Sequence, residues 1–251
     1  MSSSPLVYLI LGASGSGRRE VVADLIEGGL GEGDSAVVLL EESEAPDPAD
    51  PRLGSVERWR LAPEHEIDAV LPAGATHVFF IVHGRHSPLD QIEAFKLWLD
   101  ALGAELGNII CVVNCQLAEK HAPLLAWYEA CIHFADIVFL NRREGVANKW
   151  MTGFLAHFHD KFYPCLFEMV KAGRVKNPVL ALEPQARRMS HIFDEEQNWI
   201  FTDADGEVID EQDEVDDEDG VEAAPEEDPY MIRDAAGRRA KRIPDVAKFL
   251  T

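Results

Sequence analysis

The sequence predicts an α/β fold in three layers, with helices covering both faces of a mostly parallel central sheet. Short runs of Val, Ile, Leu and Phe alternate along the chain with longer segments whose apolar residues have helical spacing. The runs are continuously apolar, which is typical of parallel strands buried on both faces. A hydrophobic fraction of 47%, with 8% aromatic residues, is sufficient for a core of this kind.

The elements are predicted in order from these runs and from the breaks between them. The predicted strands are residues 6–11, 36–40, 76–82, 108–114 and 136–141. The predicted helices are residues 18–26, 89–102, 117–134 and 145–158. Residues 42–51 contain three prolines and many acidic residues, which predicts a loop. Ligands of parallel α/β sheets bind at the carboxyl ends of the strands, so we expect a site at that edge.

The pattern changes after the α/β part of the chain. We assign residues 1–184 to the main domain and predict a β-hairpin extension at 185–211, with Asp205-Gly206 in its turn. An acidic, Pro-containing segment at 212–229 is predicted to be disordered, and a locally basic segment follows at 230–251. These charged segments are the candidate contacts for a protein partner.

Most of the formal net charge of −22 lies in one block. Residues 194–228 contain about 18 acidic side chains and no Lys or Arg, so the rest of the chain is close to balanced. An acidic block argues against nucleic-acid binding, because a phosphate backbone requires the opposite sign.

Composition also bears on compartment and metal content. No apolar run approaches the roughly 18 residues of a membrane span, and the first apolar run leads into a glycine loop, which favours a strand over a signal peptide. Cys111, Cys115, Cys131 and Cys165 have no C-x-x-C pairing. We therefore expect a cytoplasmic protein with reduced thiols, no membrane contact and no structural metal.

The stretch LVYLILGASGSGRREVV has the form of a phosphate-binding loop between a strand and a helix. Its spacing is that of G-x-x-x-x-G-K-[ST], in which successive backbone N–H groups cradle an anion at a helix N-terminus. The candidate phosphate-binding residues are Gly12, Ala13, Ser14, Gly15, Ser16, Gly17, Arg18 and Arg19. A glycine-rich turn without a bound anion remains the alternative.

Two arginines stand where the motif has lysine and a hydroxyl residue. Arg18 keeps the positive charge but is longer and planar, so it does not simply replace a lysine ammonium. Arg19 cannot be a ligand of Mg²⁺, whereas the motif's hydroxyl is one. The loop therefore predicts an anion site and makes Mg²⁺ binding doubtful.

The order of motifs resembles the CobW-like GTPases, a family of phosphate-loop (P-loop) NTPases, over about residues 6–183. That family's loop ends in lysine and two threonines, where this chain has GASGSGRR. Its Asn-Glu-Phe-Gly segment after the second strand is matched only by Glu41. Its acid after the third strand is missing from IVHGRHSP, which keeps Gly84 and Pro88. By this resemblance Glu41, His83 and Gly84 are candidate switch-region residues.

The stretch FADIVFLNRREGV resembles the family's strand that ends in Asn-Lys-x-Asp. In that motif the acid accepts hydrogen bonds from guanine, and the asparagine holds the neighbouring loops. The resemblance implies that Asn141, Arg142 and Glu144 bind the base, with a carboxylate that is one methylene longer. The alternative is that Asn141 ends a strand and the charged residues after it are solvated.

The differences from the family's motifs have a common consequence for Mg²⁺ binding. The altered loop and the missing acid after the third strand both remove contacts that organise Mg²⁺, so we expect GTP or GDP to bind weakly and hydrolysis to be impaired or absent. The family's Cys-x-Cys-Cys motif is absent, and its C-terminal domain has no counterpart after the α/β region. A catalytically inactive interaction module, an active GTPase and a small-molecule kinase remain alternatives, the last because ILGASGSG also resembles gluconate-type kinases.

Overall fold

The computed structural model describes residues 4–63, 66–194, 199–202, 222–225 and 227–250. The chain forms two compact units, one comprising Met1–Met189 with Ile243–Thr251 and the other Ser190–Arg242. The first unit extends beyond the predicted domain boundary at residue 184. The predicted basic segment at 230–251 is divided between the two units.

The first unit is built on an eight-stranded sheet. Its strands are β1 (Leu6–Leu11), β2 (Ala36–Glu41), β3 (Ser55–Leu61), β4 (Ile67–Ala69), β5 (His77–Ile81), β6 (Glu105–Asn114), β7 (Ile137–Asn141) and β8 (Leu166–Met169). Their spatial order is β4-β3-β2-β5-β1-β6-β7-β8, and every pairing is parallel except that of β3 with β4. The α/β fold with a mostly parallel sheet is therefore confirmed.

The helices are α1 (Arg18–Gly29), α2 (Pro88–Leu102), α3 (Cys115–Lys120), α4 (Leu124–His133), α5 (Asn148–His159) and α6 (Pro178–Leu182). Helices α1 to α5 lie in the connections between parallel strands of the sheet, and α6 follows its last strand. The helix predicted at 117–134 is divided into α3 and α4, with Pro123 immediately before α4. A proline cannot continue the hydrogen bonding of a preceding helix, which accounts for the division.

The outer strands were not recognised from the sequence. β3 carries exposed charged residues, and only Trp59 is fully buried in it, so it lacks a continuous apolar run. β4 and β8 have only three and four residues. The predicted loop at 42–51 is confirmed apart from its end, where a 3₁₀ turn covers Asp50–Arg52.

The core lies against the central strands. Val7, Leu9, Val38 and Val112 are fully buried, as expected for strands covered on both faces. The fully buried Tyr8 donates from its hydroxyl to the carbonyl of Leu182, at 2.8 Å, and so ties β1 to α6. The packed centre fixes where β1, β5, β6 and β7 end, and the loops that follow these strands form the site described below.

The second unit contains a two-stranded antiparallel sheet. Its strands are β9 (Trp199–Thr202) and β10 (Glu222–Pro225). The hairpin turn predicted at Asp205-Gly206 and most of the predicted acidic segment lie outside the described residues. Farther along, the Lys241 ammonium lies 3.8 Å from the centre of the Tyr230 ring, a cation–π contact.

Two composition-based expectations can be compared with the described residues. All four cysteines are buried and form no disulfide. In the described part of the chain, the helices are too short or too polar to traverse a bilayer.

Candidate functional site

The glycine loop occupies residues 12–17, between β1 and α1. Gly12 and Gly17 have φ values of 143° and 84°, which favour glycine. Their surroundings leave no room for a side chain: a Cβ on Gly12 would lie 2.5 Å from the Val112 carbonyl oxygen, and one on Gly17 would lie 2.4 Å from Asn141 Nδ2. The local sequence is therefore matched to a tight loop that enters a helix.

Asparagines at the ends of β6 and β7 hold the loop from beneath. Asn141 Nδ2 donates to the carbonyl of Ser16 at 2.9 Å, and Asn114 Nδ2 donates to the carbonyl of Gly15 at 3.3 Å. The side chain of Asn114 also caps α3 by accepting from the amide of Leu117 at 3.0 Å. These two hydrogen bonds fix the backbone at Gly15 and Ser16, so the fold itself orients the amides of the loop.

The loop has the features of an anion cradle. Within the described part of the chain, no acceptor is hydrogen-bonded to the amides of Gly15 and Gly17, which precede the N-terminus of α1 and its positive dipole end. Ser14 is different, because its amide donates to the Gly84 carbonyl at 2.9 Å. The Ser16 hydroxyl is fully buried, and no described residue pairs with it.

Arg18 lies beneath the loop. Its guanidinium donates to the carbonyl of Val82, just after β5, and to Glu44 Oε1 at 2.7 Å. Its side chain is 5% exposed. Arg18 therefore connects α1 to the end of the adjacent strand and to the β2–β3 loop.

Arg19 clamps the same β2–β3 loop. It donates to Glu44 Oε2 at 2.6 Å, to Asp50 Oδ1 at 2.8 Å and to the Ala45 carbonyl at 2.9 Å. The side chain is 6% exposed. A planar guanidinium presents several donors in fixed directions, so one side chain can hold the whole segment.

Glu44 is the shared partner of both arginines. Its carboxylate is 11% exposed and also accepts from the amide of Gly84 at 3.3 Å. Burial alone raises the pKa of the Glu44 carboxyl, but the charges and hydrogen bonds of Arg18 and Arg19 outweigh burial and hold that pKa at about 2. The carboxylate is therefore ionised at neutral pH.

The chain after β5 supplies His83 and Gly84. A Cβ on Gly84 would lie 2.4 Å from the amide nitrogen of Ser14, so this position is matched to the glycine loop. The His83 backbone is fixed by Gln91, which accepts from its amide at 2.6 Å. Burial, followed by the effect of nearby His86, lowers the pKa of the His83 imidazole, which favours the neutral ring. The third candidate switch residue, Glu41, ends β2 and accepts from the amide of Ser43 at 2.8 Å.

An open cavity of about 400 Å³ lies where the end of β7 meets α1. It is bordered by Asn141, Arg142 and Glu144, the residues selected from the sequence for base binding. The other lining residues are Glu20, Pro48, Ala49, Arg52, Ala172 and Gly173. Arg142 has a φ of 51° and donates to Glu20 Oε1 at 2.7 Å, which holds its guanidinium against α1. The cavity therefore adjoins the entrance to α1.

Metal ligation has little support in the described residues. Among them, no three or more His, Cys, Asp or Glu side chains are grouped so that they could hold a metal ion. Glu44 and Asp50, the acids that contact the residue at the motif's hydroxyl position, are already paired with Arg19.

Comparison with known proteins gives the following results. No protein-family model matches the chain, and no curated protein matches it. Among solved structures, the Zn(II)-bound YjiA GTPase from E. coli and a Zn(II)-bound triple mutant of YjiA GTPase match with a TM-score of 0.41 and 13% identity. In both cases the match covers 81% of this chain and 72% of the other.

Glu44 and Asp50 were not predicted from the sequence as site residues. Both lie in a segment rich in acidic residues and prolines, where spacing does not distinguish one carboxylate from another. The sequence carried one signal, because two consecutive arginines at the start of a helix packed on the sheet require acidic partners if they are buried. The sequence also gave no indication that Arg52 and the turn at Ala172-Gly173 border the cavity.

Proposed function

We propose that this chain is a CobW-like P-loop protein that binds a guanine nucleotide weakly, with slow or absent hydrolysis of GTP. The observation that carries the proposal is the cavity at the end of β7, where Asn141 also donates to the Ser16 carbonyl of the glycine loop. It is bordered by Asn141, Arg142 and Glu144, which the sequence predicts to bind the base. Its volume of about 400 Å³ lies within the range of small-molecule sites.

The chemistry of the cavity is suited to guanine. A carboxylate accepts hydrogen bonds from two adjacent N–H donors, which guanine presents at N1 and at its exocyclic amine and adenine does not. Glu144 supplies that carboxylate at the cavity wall. The planar Arg142 guanidinium, held by Glu20, offers a surface on which a base can stack.

The glycine loop is the proposed binding site for the phosphates of the nucleotide. The amides of Gly15 and Gly17 and the N-terminus of α1 attract an anion. The arginines at the lysine and hydroxyl positions are already paired with acidic side chains, so a nucleotide gains less from them. We therefore expect affinity well below that of an intact phosphate loop.

Impaired hydrolysis follows from the missing metal contacts. Phosphoryl transfer depends on Mg²⁺ and the loop for positioning and charge stabilisation. Arg19 replaces the hydroxyl ligand, and the chain after β5 offers His83 and Gly84 where the family has an acid. Loss of several kcal/mol of transition-state stabilisation corresponds to several orders of magnitude in rate.

Calorimetric titration with GDP, GTP and ADP, with and without Mg²⁺, tests the proposal. We expect dissociation constants between about 10 μM and 1 mM, a preference for guanine and little effect of Mg²⁺. Glu144→Gln should remove the preference for GDP over ADP. Glu183→Gln is the matched control, because Glu183 is exposed at the other end of the sheet, where its carbonyl accepts from Asn108.

Two results would change the proposal. A strong Mg²⁺ dependence with measurable GTP turnover would favour an active GTPase. The absence of any heat of binding up to about 1 mM nucleotide would exclude the nucleotide site. A dissociation constant of about 1 mM corresponds to a binding free energy of about −4 kcal/mol. The interaction-module alternative would then be the one to pursue.

A further inference from the structure

We propose that Glu44 acts as a built-in anion that occupies the positive site formed by Arg18 and Arg19, so that a nucleotide's phosphates bind there only by displacing the Glu44 carboxylate. This inference rests on the proposed function and adds its regulation.

The geometry around Glu44 is that of an anion site. Arg18 Nη2 and Arg19 Nη2 donate to its two oxygens at 2.7 and 2.6 Å, and the Gly84 amide approaches at 3.3 Å. Two charged donors and a backbone N–H thus converge on one carboxylate. Arginine forks bind carboxylate and phosphate oxygens in the same way, so a phosphate is the natural competitor.

The position of this group relates it to the glycine loop. Arg18 lies under the loop: its Cδ would be 3.3 Å from a Cβ placed on Gly12. The Gly84 carbonyl accepts from the loop amide of Ser14, while the Gly84 amide donates to Glu44. Glu44 is therefore joined to the loop through both Arg18 and Gly84, and its departure would alter the contacts of each.

Glu44 is the member of the group that can leave. The arginines are anchored by further partners, Arg18 by the Val82 carbonyl and Arg19 by Asp50 and the Ala45 carbonyl. Glu44 itself is held only through its carboxylate and one turn bond from its amide to the Glu41 carbonyl, among the described residues. Its chain neighbours Ser43 and Ala45 are exposed, so the side chain can rotate into solvent without disturbing β2.

The energetic consequence is a reduced apparent affinity. When a site is open only part of the time, the observed dissociation constant is the intrinsic value divided by the open fraction. A diphosphate carries more charge and more acceptor oxygens than a carboxylate, so it can compete with Glu44 for the two arginines. It must displace Glu44, however, which belongs to the same chain and therefore has a very high local concentration at the site. Removal of the Glu44 charge should remove that competition.

The experiment is a calorimetric titration of three full-length proteins, the wild type, Glu44→Gln and Glu42→Gln, with GDP and with inorganic pyrophosphate. Glu42→Gln removes the same charge from the same loop, and within the described residues the Glu42 side chain has no hydrogen bond or ion pair. We expect Glu44→Gln to bind both ligands at least about tenfold more tightly than the wild type, and Glu42→Gln to match the wild type.

The outcomes separate this inference from the proposed function. If the wild type binds GDP and Glu44→Gln binds no more tightly, the inference fails and the nucleotide site stands. If Glu42→Gln gains as much as Glu44→Gln, the effect is general electrostatics and the inference also fails. If Glu44→Gln gains pyrophosphate affinity while GDP binds no better than pyrophosphate, the displaced carboxylate is supported and guanine binding fails.

Glu44→Asp provides a second test that does not depend on the folding of Glu44→Gln. Glu44→Asp keeps the charge but is one methylene shorter, so its carboxylate does not reach the two guanidinium groups as Glu44 does. It should bind pyrophosphate more tightly than the wild type, by several-fold. An affinity equal to that of the wild type would overturn the inference.

Discussion

At the residue scale, the two arginines of the glycine loop have a different immediate role from the one their positions imply. In the sequence they stand at the lysine and hydroxyl positions of a phosphate loop. In the fold both are buried and bonded to the β2–β3 loop, through Glu44 and Asp50. A buried charge requires a partner of opposite charge, and here acidic side chains of the same chain are that partner.

This arrangement predicts a pH dependence of stability. The pKa of Glu44 is about 2 in the folded protein and is ordinarily 4.5, so its contribution is fully present above about pH 4.5 and is lost as the pH falls towards 2. In urea unfolding at pH 7, Glu44→Gln should be less stable than the wild type by about 2–3 kcal/mol. The difference should shrink as the pH is lowered from about 4.5 to 3.

Glu42→Gln is the control for this measurement and should follow the wild type at every pH. A difference between Glu44→Gln and the wild type that stays constant over this range would contradict the depressed pKa. The sequence alone could not predict this effect, because the segment from Glu41 to Asp50 contains five acidic residues, those two included, and only the fold selects the one that reaches both arginines.

At the scale of elements, the glycine loop joins β1 to α1 in a conformation that its sequence predicts. The boundaries of β1 and the start of α1 agree with the predicted ones, because a buried apolar run and a glycine-rich break are strong local signals. The β2–β3 loop was predicted as a loop but not as part of the site. Its contacts are with α1, which is distant in sequence, and local patterns carry no information about them.

The loop's glycines can be distinguished by experiment. Gly15 and Gly17 have similar positive φ values of 78° and 84°, so alanine is strained at both. A Cβ at Gly15 meets nothing within 4 Å, whereas one at Gly17 lies 2.4 Å from Asn141 Nδ2. We expect Gly15→Ala to cost about 1 kcal/mol of unfolding free energy and Gly17→Ala at least about 1 kcal/mol more.

The added cost at Gly17 should come from the hydrogen bond of Asn141 to the Ser16 carbonyl. In an Asn141→Ala background, the difference between the two glycine substitutions should therefore become smaller in thermal or chemical unfolding, although Glu20 Oε2, 3.0 Å from the same Cβ, still restricts Gly17. Equal effects already in the wild-type background would mean that the loop is not packed on Asn141.

At the scale of the whole molecule, the strand order creates the site. β1 lies between β5 and β6, so the loops that follow β1, β5, β6 and β7 meet at one edge of the sheet. The sequence predicted the parallel sheet and its ligand edge from the alternation of elements. It could not predict the neighbours of each strand, since strand pairing joins segments far apart in the chain, such as residues 6–10 with 77–81.

Local sequence patterns also did not predict the outer strands of the sheet or the full lining of the cavity. Polar edge strands such as β3 lack the apolar run that identifies a buried strand. The cavity combines residues from α1, the β2–β3 loop, the end of β7 and the turn after β8, and only Asn141, Arg142 and Glu144 had a sequence signal.

Hydrogen exchange can show whether one nucleotide occupies the cavity and the glycine loop together. The amides of the whole chain would be followed with and without GDP at a concentration above its dissociation constant. We predict slower exchange at Gly15, Gly17 and the first turn of α1, and at residues 141–145, with ADP giving a weaker effect. Unchanged exchange in these two segments, or protection confined to other parts of the chain, would contradict the account.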